Sequence, residues 1–398
     1  MVSEVKKGEG NVSCYYNIPI LIFAIVSFVS IAGGNIALSI ATLVFFVYVY
    51  RKRTNISMNY FQYKKYYICL ILFIFCMLLS ALGSGDIARG ITTWSNLLIW
   101  RMMPFFIITL SMNEWHIAEK ILKFSMTGIA IGIICLIYQG ISGDGRAAGF
   151  FGHPMTYAGY LCMYLPIFLI YFLKQQNINK CSLLTGSIFF LGCSALIFNG
   201  TRGAWIAVIP VLLIIFAYYF RQHKRSILCC FIVFFLIGMG FGQQPYFSDR
   251  LKSITSTSYQ SNTERLLIWQ SAYNMFHDYP ILGVGLGQYK DSYQQKYISP
   301  QAKEPYLTHA HNNFLQMLAE NGLIGFLGFL GMYGSIITFS LKKFFQEHNP
   351  YSFMICTSVI ALMLQGLTEY NFGNSAVMKV FWLVQGCLIV MENKWRLG

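Results

Sequence analysis

Charge is what this chain has least of: Asp, Glu, Lys and Arg make up 11% of its 398 residues. A soluble protein of that length carries about 25%. With 56% hydrophobic residues and a mean hydropathy of +0.53, a water-soluble globule is excluded. The apolar residues come in long blocks rather than alternating with polar ones, as in helices that cross a bilayer. Internal repeats and low-complexity segments are missing. So is a disulfide framework: of the eleven cysteines, all but Cys14 and Cys181 fall inside apolar blocks, where a thiol behaves as a small core residue. The net charge of +14 does not indicate nucleic acid, because the basic residues form no single face and instead punctuate the gaps between apolar blocks.

Twelve apolar spans follow one another, roughly 16–32, 34–50, 66–82, 91–110, 122–141, 155–173, 182–199, 203–220, 226–243, 322–341, 351–368 and 376–392. Each is near the length a bilayer needs, so the fold class is an all-α polytopic membrane protein of about twelve transmembrane helices. The first span follows Lys6 and Lys7 and ends in "SIAGGN", the pattern of a cleaved signal peptide. A second block follows at once, and a retained helical hairpin is the expectation. Alternate gaps hold most of the positive charge: Lys6/Lys7, "RKR" at 51–53, Lys64/Lys65, Lys120/Lys123, Lys174/Lys180, Arg221/Lys224/Arg225, Lys342/Lys343 and Lys394/Arg396. The opposite short gaps hold only Arg89, Arg146 and Arg202. This bias places both termini in the cytoplasm and the long 244–310 loop outside. The expected organisation is one membrane domain over 1–398, with 244–310 inserted between the ninth and tenth spans. Inside the loop "TERLLIWQSAYNMFHDYP" reads as a helix capped by Thr263 and stopped by Pro280.

A few polar residues escape the topology explanation. Arg146 in "GDGRAAGFFGHP", Arg202 in "FNGTRGAW", Arg265 in "NTERLLIW" and His311 in "HAHNNF" all fall on the outer side. Cations at a boundary where water is partly excluded suit a phosphate or diphosphate. Each has a plainer alternative: Arg202 snorkels to headgroups, although Gly200 and Gly203 leave room beside it, and Arg265 pairs with Glu264 or Asp278. Arg101, inside the fourth span, bonds within the bundle and has no assigned role. His311 falls in the first turn of a helix running to Asn321, with Thr308 or His309 as cap. A helix N-terminus favours neutral imidazole, the form that acts as a general base. A histidine that merely caps or packs is the alternative.

His309 and His311 as a metal pair are disfavoured, since residues i and i+2 share a side only in extended chain. His153 and His277 are on the same side, but no cysteine or further carboxylate sits at ligand spacing, and no metal is expected. "GVGLGQY" at 283–289 lacks the strand–turn–helix context of a nucleotide loop and reads as a tight turn between two loop helices. Pro154 in "GHPMTYAGY" opens a helix.

"HNNFLQMLAENGLIG" resembles the signature of the O-antigen ligase family: His311, Asn312, nine residues, Gly322, two residues, Gly325. "TRGAW", "TERLLIW" and the following "PILGVG" are similar to the family's blocks in the same order. The resemblance implies a GT-C-like glycosyltransferase of the bacterial inner membrane with its active site facing the periplasm. Such an enzyme moves O-antigen glycan from undecaprenyl diphosphate to a sugar hydroxyl of lipid A–core, inverting the anomeric centre without metal or other cofactor. It also implies that Arg202 and Arg265 hold the diphosphate and that His311 activates the acceptor. Arg146, Asn312 and His309 are further candidate contacts. O-antigen and capsule polymerases share the signature, as do some protein O-oligosaccharyltransferases, which makes a polymerase the runner-up. A lipid-linked glycan transporter comes third, because transporters gather their polar groups near the bilayer midplane rather than at one face.

Overall fold

The computed structural model describes residues 17–51, 53–111, 114–143, 145–174, 179–242, 249–250, 252–253 and 260–395. Lys6, Lys7, Cys14, Lys52 and Arg396, all used in the sequence argument, lie outside them. No strand occurs among the described residues. A bilayer leaves the backbone no partner but its own helix, so long apolar blocks become helices.

In chain order these are α1 (Asn17–Val26), α2 (Ile31–Arg51), α3 (Arg53–Leu82), α4 (Ile87–Trp94), α5 (Arg101–Ser111), α6 (Trp115–Ser142), α7 (Pro154–Leu173), α8 (Lys180–Asn199), α9 (Arg202–Tyr219), α10 (Lys224–Gly242), α11 (Gln260–Asp278), α12 (Tyr289–Ser292), α13 (Asn313–Glu347), α14 (Pro350–Gln365) and α15 (Ser375–Lys394). Eight of the described helices are long and apolar enough to cross a membrane, lying in α2, α3, α6, α7, α8, α9, α13 and α15. The all-helical, polytopic reading therefore holds, while twelve crossings remain an expectation. Of the other four expected spans, the first is met by the ten-residue α1 and the eleventh by the sixteen-residue α14. The fourth is split into α4, a π-helical turn at Ser95–Trp100, and α5 with Pro104 inside it. The ninth falls on α10.

α7 and α15 form the middle of the bundle, with 94% and 89% of their apolar windows buried. α15 packs on α5 and α6, α7 on α8 and α14, and α13 on α3. Peripheral helices keep apolar side chains on the outside, such as Ile36 and Leu43 of α2 and Ile209 and Leu213 of α9, a surface suited only to lipid. The cysteines whose side chains are described, Cys229 not among them, are free.

α11 and α12 form a small layer beside the bundle, with a core of Ile268, Ala272, Met275, Tyr289, Tyr293, Ala310 and Ala319. Thr263 lies inside α11 and is not its cap; Ser261 and Asn262, which precede it in the helix, both bond to Arg202. The chain leaves α11 just before Pro280, as expected, and passes through the glycine-rich turn into α12.

That turn is paired to α13. At Gly322, with φ +56 and ψ −159, α13 breaks and leaves main-chain groups without helical partners. Val284 and Gly285 donate to the carbonyls of Ala319 and Glu320, and Leu323 and Ile324 donate to those of Pro280 and Ile281. A Cβ at Gly322 would lie 2.4 Å from the Ile281 carbonyl carbon, so only glycine allows both the backbone angle and the approach.

Candidate active site

Three polar residues in a row build the start of α13. Asn312 is the cap: its Oδ1 accepts from the N–H groups of Phe314 and Leu315 at 2.8 and 3.1 Å, and its Nδ2 donates to Leu367 O at 2.9 Å. Buried Asn313 donates from Nδ2 to Asn371 Oδ1 (2.6 Å) and from its N–H to Gly366 O (2.7 Å), and accepts from Phe372 N–H (3.1 Å). These bonds fasten the 366–373 loop across the helix start. His311 consequently precedes the helix instead of lying in its first turn, and neither Thr308 nor His309 caps it. The cap must hold an extended backbone while its side chain reaches two N–H groups, and Asn312 does both. His311 itself sits at φ +48, a region that few non-glycine residues adopt, and its ring lies 4.2 Å from that of His309.

The fastened loop delivers Glu369, whose Oε2 is 3.5 Å from His311 Nδ1. The His311 side chain is 28% exposed and that of Glu369 10%, so the imidazole is the more open of the two. Gly203, at the start of α9, makes room for the loop: a Cβ there would lie 1.9 Å from Thr368 Oγ1. Burial pushes the Glu369 carboxyl up, but the bond and charge of His311, with His309 and Arg265, outweigh it and hold the group below the usual carboxylate range. In return Glu369 supports the Arg265 charge against burial. Burial pushes His309 down to about 4; His311 and His153 act the same way and Glu369 opposes them. His309 is therefore neutral near pH 7. A carboxylate at His311 Nδ1 selects the tautomer protonated there, leaving the Nε2 lone pair to accept a proton.

The arginines are arranged in sequence around this centre. Arg265 on α11 lies near enough to Glu369 for the two charges to act on each other. Arg202 donates to Ser253 O, to Ser261 Oγ at 2.8 Å and to Asn262 Oδ1 at 3.1 Å, one helical turn before Arg265. It therefore ties α9 to the start of α11. Arg146 donates to Asn199 O (3.1 Å) and Thr201 Oγ1 (2.7 Å), and so braces the corner that leads into Arg202. His309, His311 and Glu369 thus cluster together, Arg265 acts on Glu369 through its charge, and the Arg202 contacts lie one helical turn before Arg265. Arg146 and Asn312 hold the frame.

Glu369 escaped the sequence argument. It follows an apolar block at once in a chain with only 15 acids, and that scarcity was the available signal. Arg101 also gains a place: it donates to Phe372 O at 2.8 Å, supporting the same loop. A cavity of about 420 Å³ opens beside the centre, lined among others by Arg101, His153, Lys290, His309, Glu369 and Tyr370. The expectation that no carboxylate stands at ligand spacing is corrected, since His309, His311 and Glu369 each bring a ligand atom within 4.8 Å of the others. The carboxylate comes from 58 residues away along the chain. His277, by contrast, lies beside Asp278 at the end of α11.

Residues 187–330 match the family model described as O-antigen ligase. The match contains Arg202, Arg265, His309, His311 and Asn312 and leaves Arg146 and Glu369 outside. A Haemophilus influenzae protein named only as uncharacterized is 22% identical over 396 residues, 92% of this chain and 96% of the relative. The ComP-specific O-oligosaccharyltransferase of Acinetobacter baylyi is 25% identical over 242 residues, 58% of this chain and 41% of that enzyme. A Rickettsia conorii protein named provisionally as a polysaccharide ligase is 28% identical over 140 residues, 34% of this chain and 32% of the relative. The chain therefore spans less than half of the two relatives whose names carry a function. Those names share the transfer of a glycan to an acceptor, and residues 187–330 of this membrane chain carry the pattern of the O-antigen ligase family.

Proposed function

We propose that this protein transfers a glycan from undecaprenyl diphosphate to a sugar hydroxyl of lipid A–core, on the periplasmic face of the bacterial inner membrane. The observation that carries the reading is the pairing of His311 with Glu369, within range of the Arg265 charge. Glycosidic bond cleavage leaves a diphosphate whose negative charge grows, and fixed guanidinium groups stabilise that charge in place of a divalent ion. Arg265 makes the direct contact; Arg202 is both tether and second cation. His311 Nε2 takes the proton of the attacking hydroxyl while Glu369 steadies the imidazolium that forms. The hydroxyl oxygen bonds to the anomeric carbon as the carrier oxygen leaves, and this single displacement inverts the centre. The 244–310 insertion supplies Arg265 and forms one wall of the site.

The test is His311→Ala in cells lacking the native copy. Loss of a general base lowers turnover by about a hundredfold to ten-thousandfold. Bare lipid A–core should remain while carrier-linked glycan accumulates; a normal glycan ladder from well-expressed variant protein sinks the reading. The relative named as an O-oligosaccharyltransferase favours a second acceptor class, a protein hydroxyl, met by the same centre. A polymerase would instead leave core bearing one repeat unit.

A further inference from the structure

We infer that His309, His311 and Glu369 form a binding site for a divalent transition-metal ion of the zinc class, and that the bound ion switches glycan transfer off. The regulatory half of this inference rests on the assignment of His311 as the base; the binding half does not. Two imidazoles and a carboxylate are a ligand set that zinc takes with a fourth position left open. Tetrahedral bonds of about 2.0–2.1 Å set neighbouring ligand atoms about 3.4 Å apart. His311 Nδ1 and Glu369 Oε2 already stand 3.5 Å apart. All three ligand atoms lie within 4.8 Å of one another, and small side-chain rotations close the remainder. The donors come from two separate segments, 309–311 and 369, whose positions are fixed by the Asn312 and Asn313 bonds, so the site is assembled before any ion arrives. His309 and Glu369 line the 420 Å³ cavity, which supplies an entry path and room for a water in the fourth position.

The switch follows from the two nitrogens of one ring. In the free protein Glu369 holds the proton on His311 Nδ1, and Nε2 has the lone pair. An ion binding at Nδ1 displaces the proton held there, and the neutral ring then carries its proton on Nε2. The nitrogen that would accept a proton from the acceptor carries one instead, and Glu369 is drawn off to the metal.

The experiment titrates purified full-length protein in detergent with Zn2+ against a chromophoric indicator, and with Co2+ read by its visible absorption. Wild type should bind one equivalent with the intense bands of a four-coordinate site. His309→Ala and Glu369→Gln, checked for unchanged elution, should each weaken binding by more than about tenfold, the cost that even an outer partner of a ligand carries. Transfer by wild type should fall over the same zinc range and return with chelator. Absence of stoichiometric binding, or binding that both variants retain, overturns the site. Zinc-loaded protein that transfers at the metal-free rate overturns the switch. Binding is read without turnover, so its failure is distinct from a failure of the transfer reading.

Discussion

At the scale of single residues, "HNN" divides three tasks among neighbours: His311 presents a ring, Asn312 caps the helix, and Asn313 locks a distant loop against it. Glu369, set by that lock, positions His311. Glu369→Gln keeps the shape but removes the charge, and an amide N–H can then donate to Nδ1 and favour the wrong tautomer. Turnover should drop by about a hundredfold or more, while the donor KM moves far less. Steady-state kinetics with both substrates measure the split; an equal rise in donor KM with kcat intact would mean that Glu369 serves only to hold Arg265. Much of this centre was legible in the sequence. The histidine and the two principal arginines stood out as polar residues with no topological purpose, and the segment from His311 to Gly325 resembled the family's signature. The cap was misread because Thr308, His309 and Asn312 are all chemically able to cap, and only the backbone decides among them. Glu369 was missed because its partner lies 58 residues away in sequence, a separation that no local pattern spans.

At the scale of elements, α13 is two helices joined at a break that the 280–285 turn completes with main-chain bonds. Gly322→Ala forces a side chain into a left-handed angle and into the Ile281 carbonyl. A loss of roughly 1–3 kcal/mol is expected from the backbone alone. A thermal unfolding midpoint in detergent should fall, and transfer with it, because the break sits one short helix beyond His311; an unchanged midpoint would show that the pairing contributes nothing. Asn312→Ala should lose about 1 kcal/mol through the cap and release Leu367 as well. Apolar runs revealed the long helices correctly because a bilayer imposes a minimum length on them. α1, α14 and the split α4–α5 segment were harder to read, since a run of apolar residues does not say whether a π-helical turn or a proline interrupts it.

For the whole molecule, the arginines and His311 gather at one end of the bundle, and the lysine-rich gaps lie mostly at the other. If the site end faces the periplasm, native Cys181, exposed beside Lys180 at the start of α8, faces the cytoplasm. A membrane-impermeant maleimide applied to spheroplasts should leave Cys181 unlabelled and label a Lys290→Cys variant, whose position is exposed on the cavity side. The reverse pattern would invert the orientation. One feature of the loop limits how a bulky donor gets in. The 280–285 turn is laddered to α13 and the 311–313 segment is clamped by 366–373, so that flank of the cavity is a fixed wall. The Arg202 guanidinium, by contrast, donates to oxygens of Ser253, Ser261 and Asn262. Phosphate oxygens compete for those same donors, so under the proposed transfer a diphosphate reaching Arg202 would trade places with the seryl and asparagine oxygens.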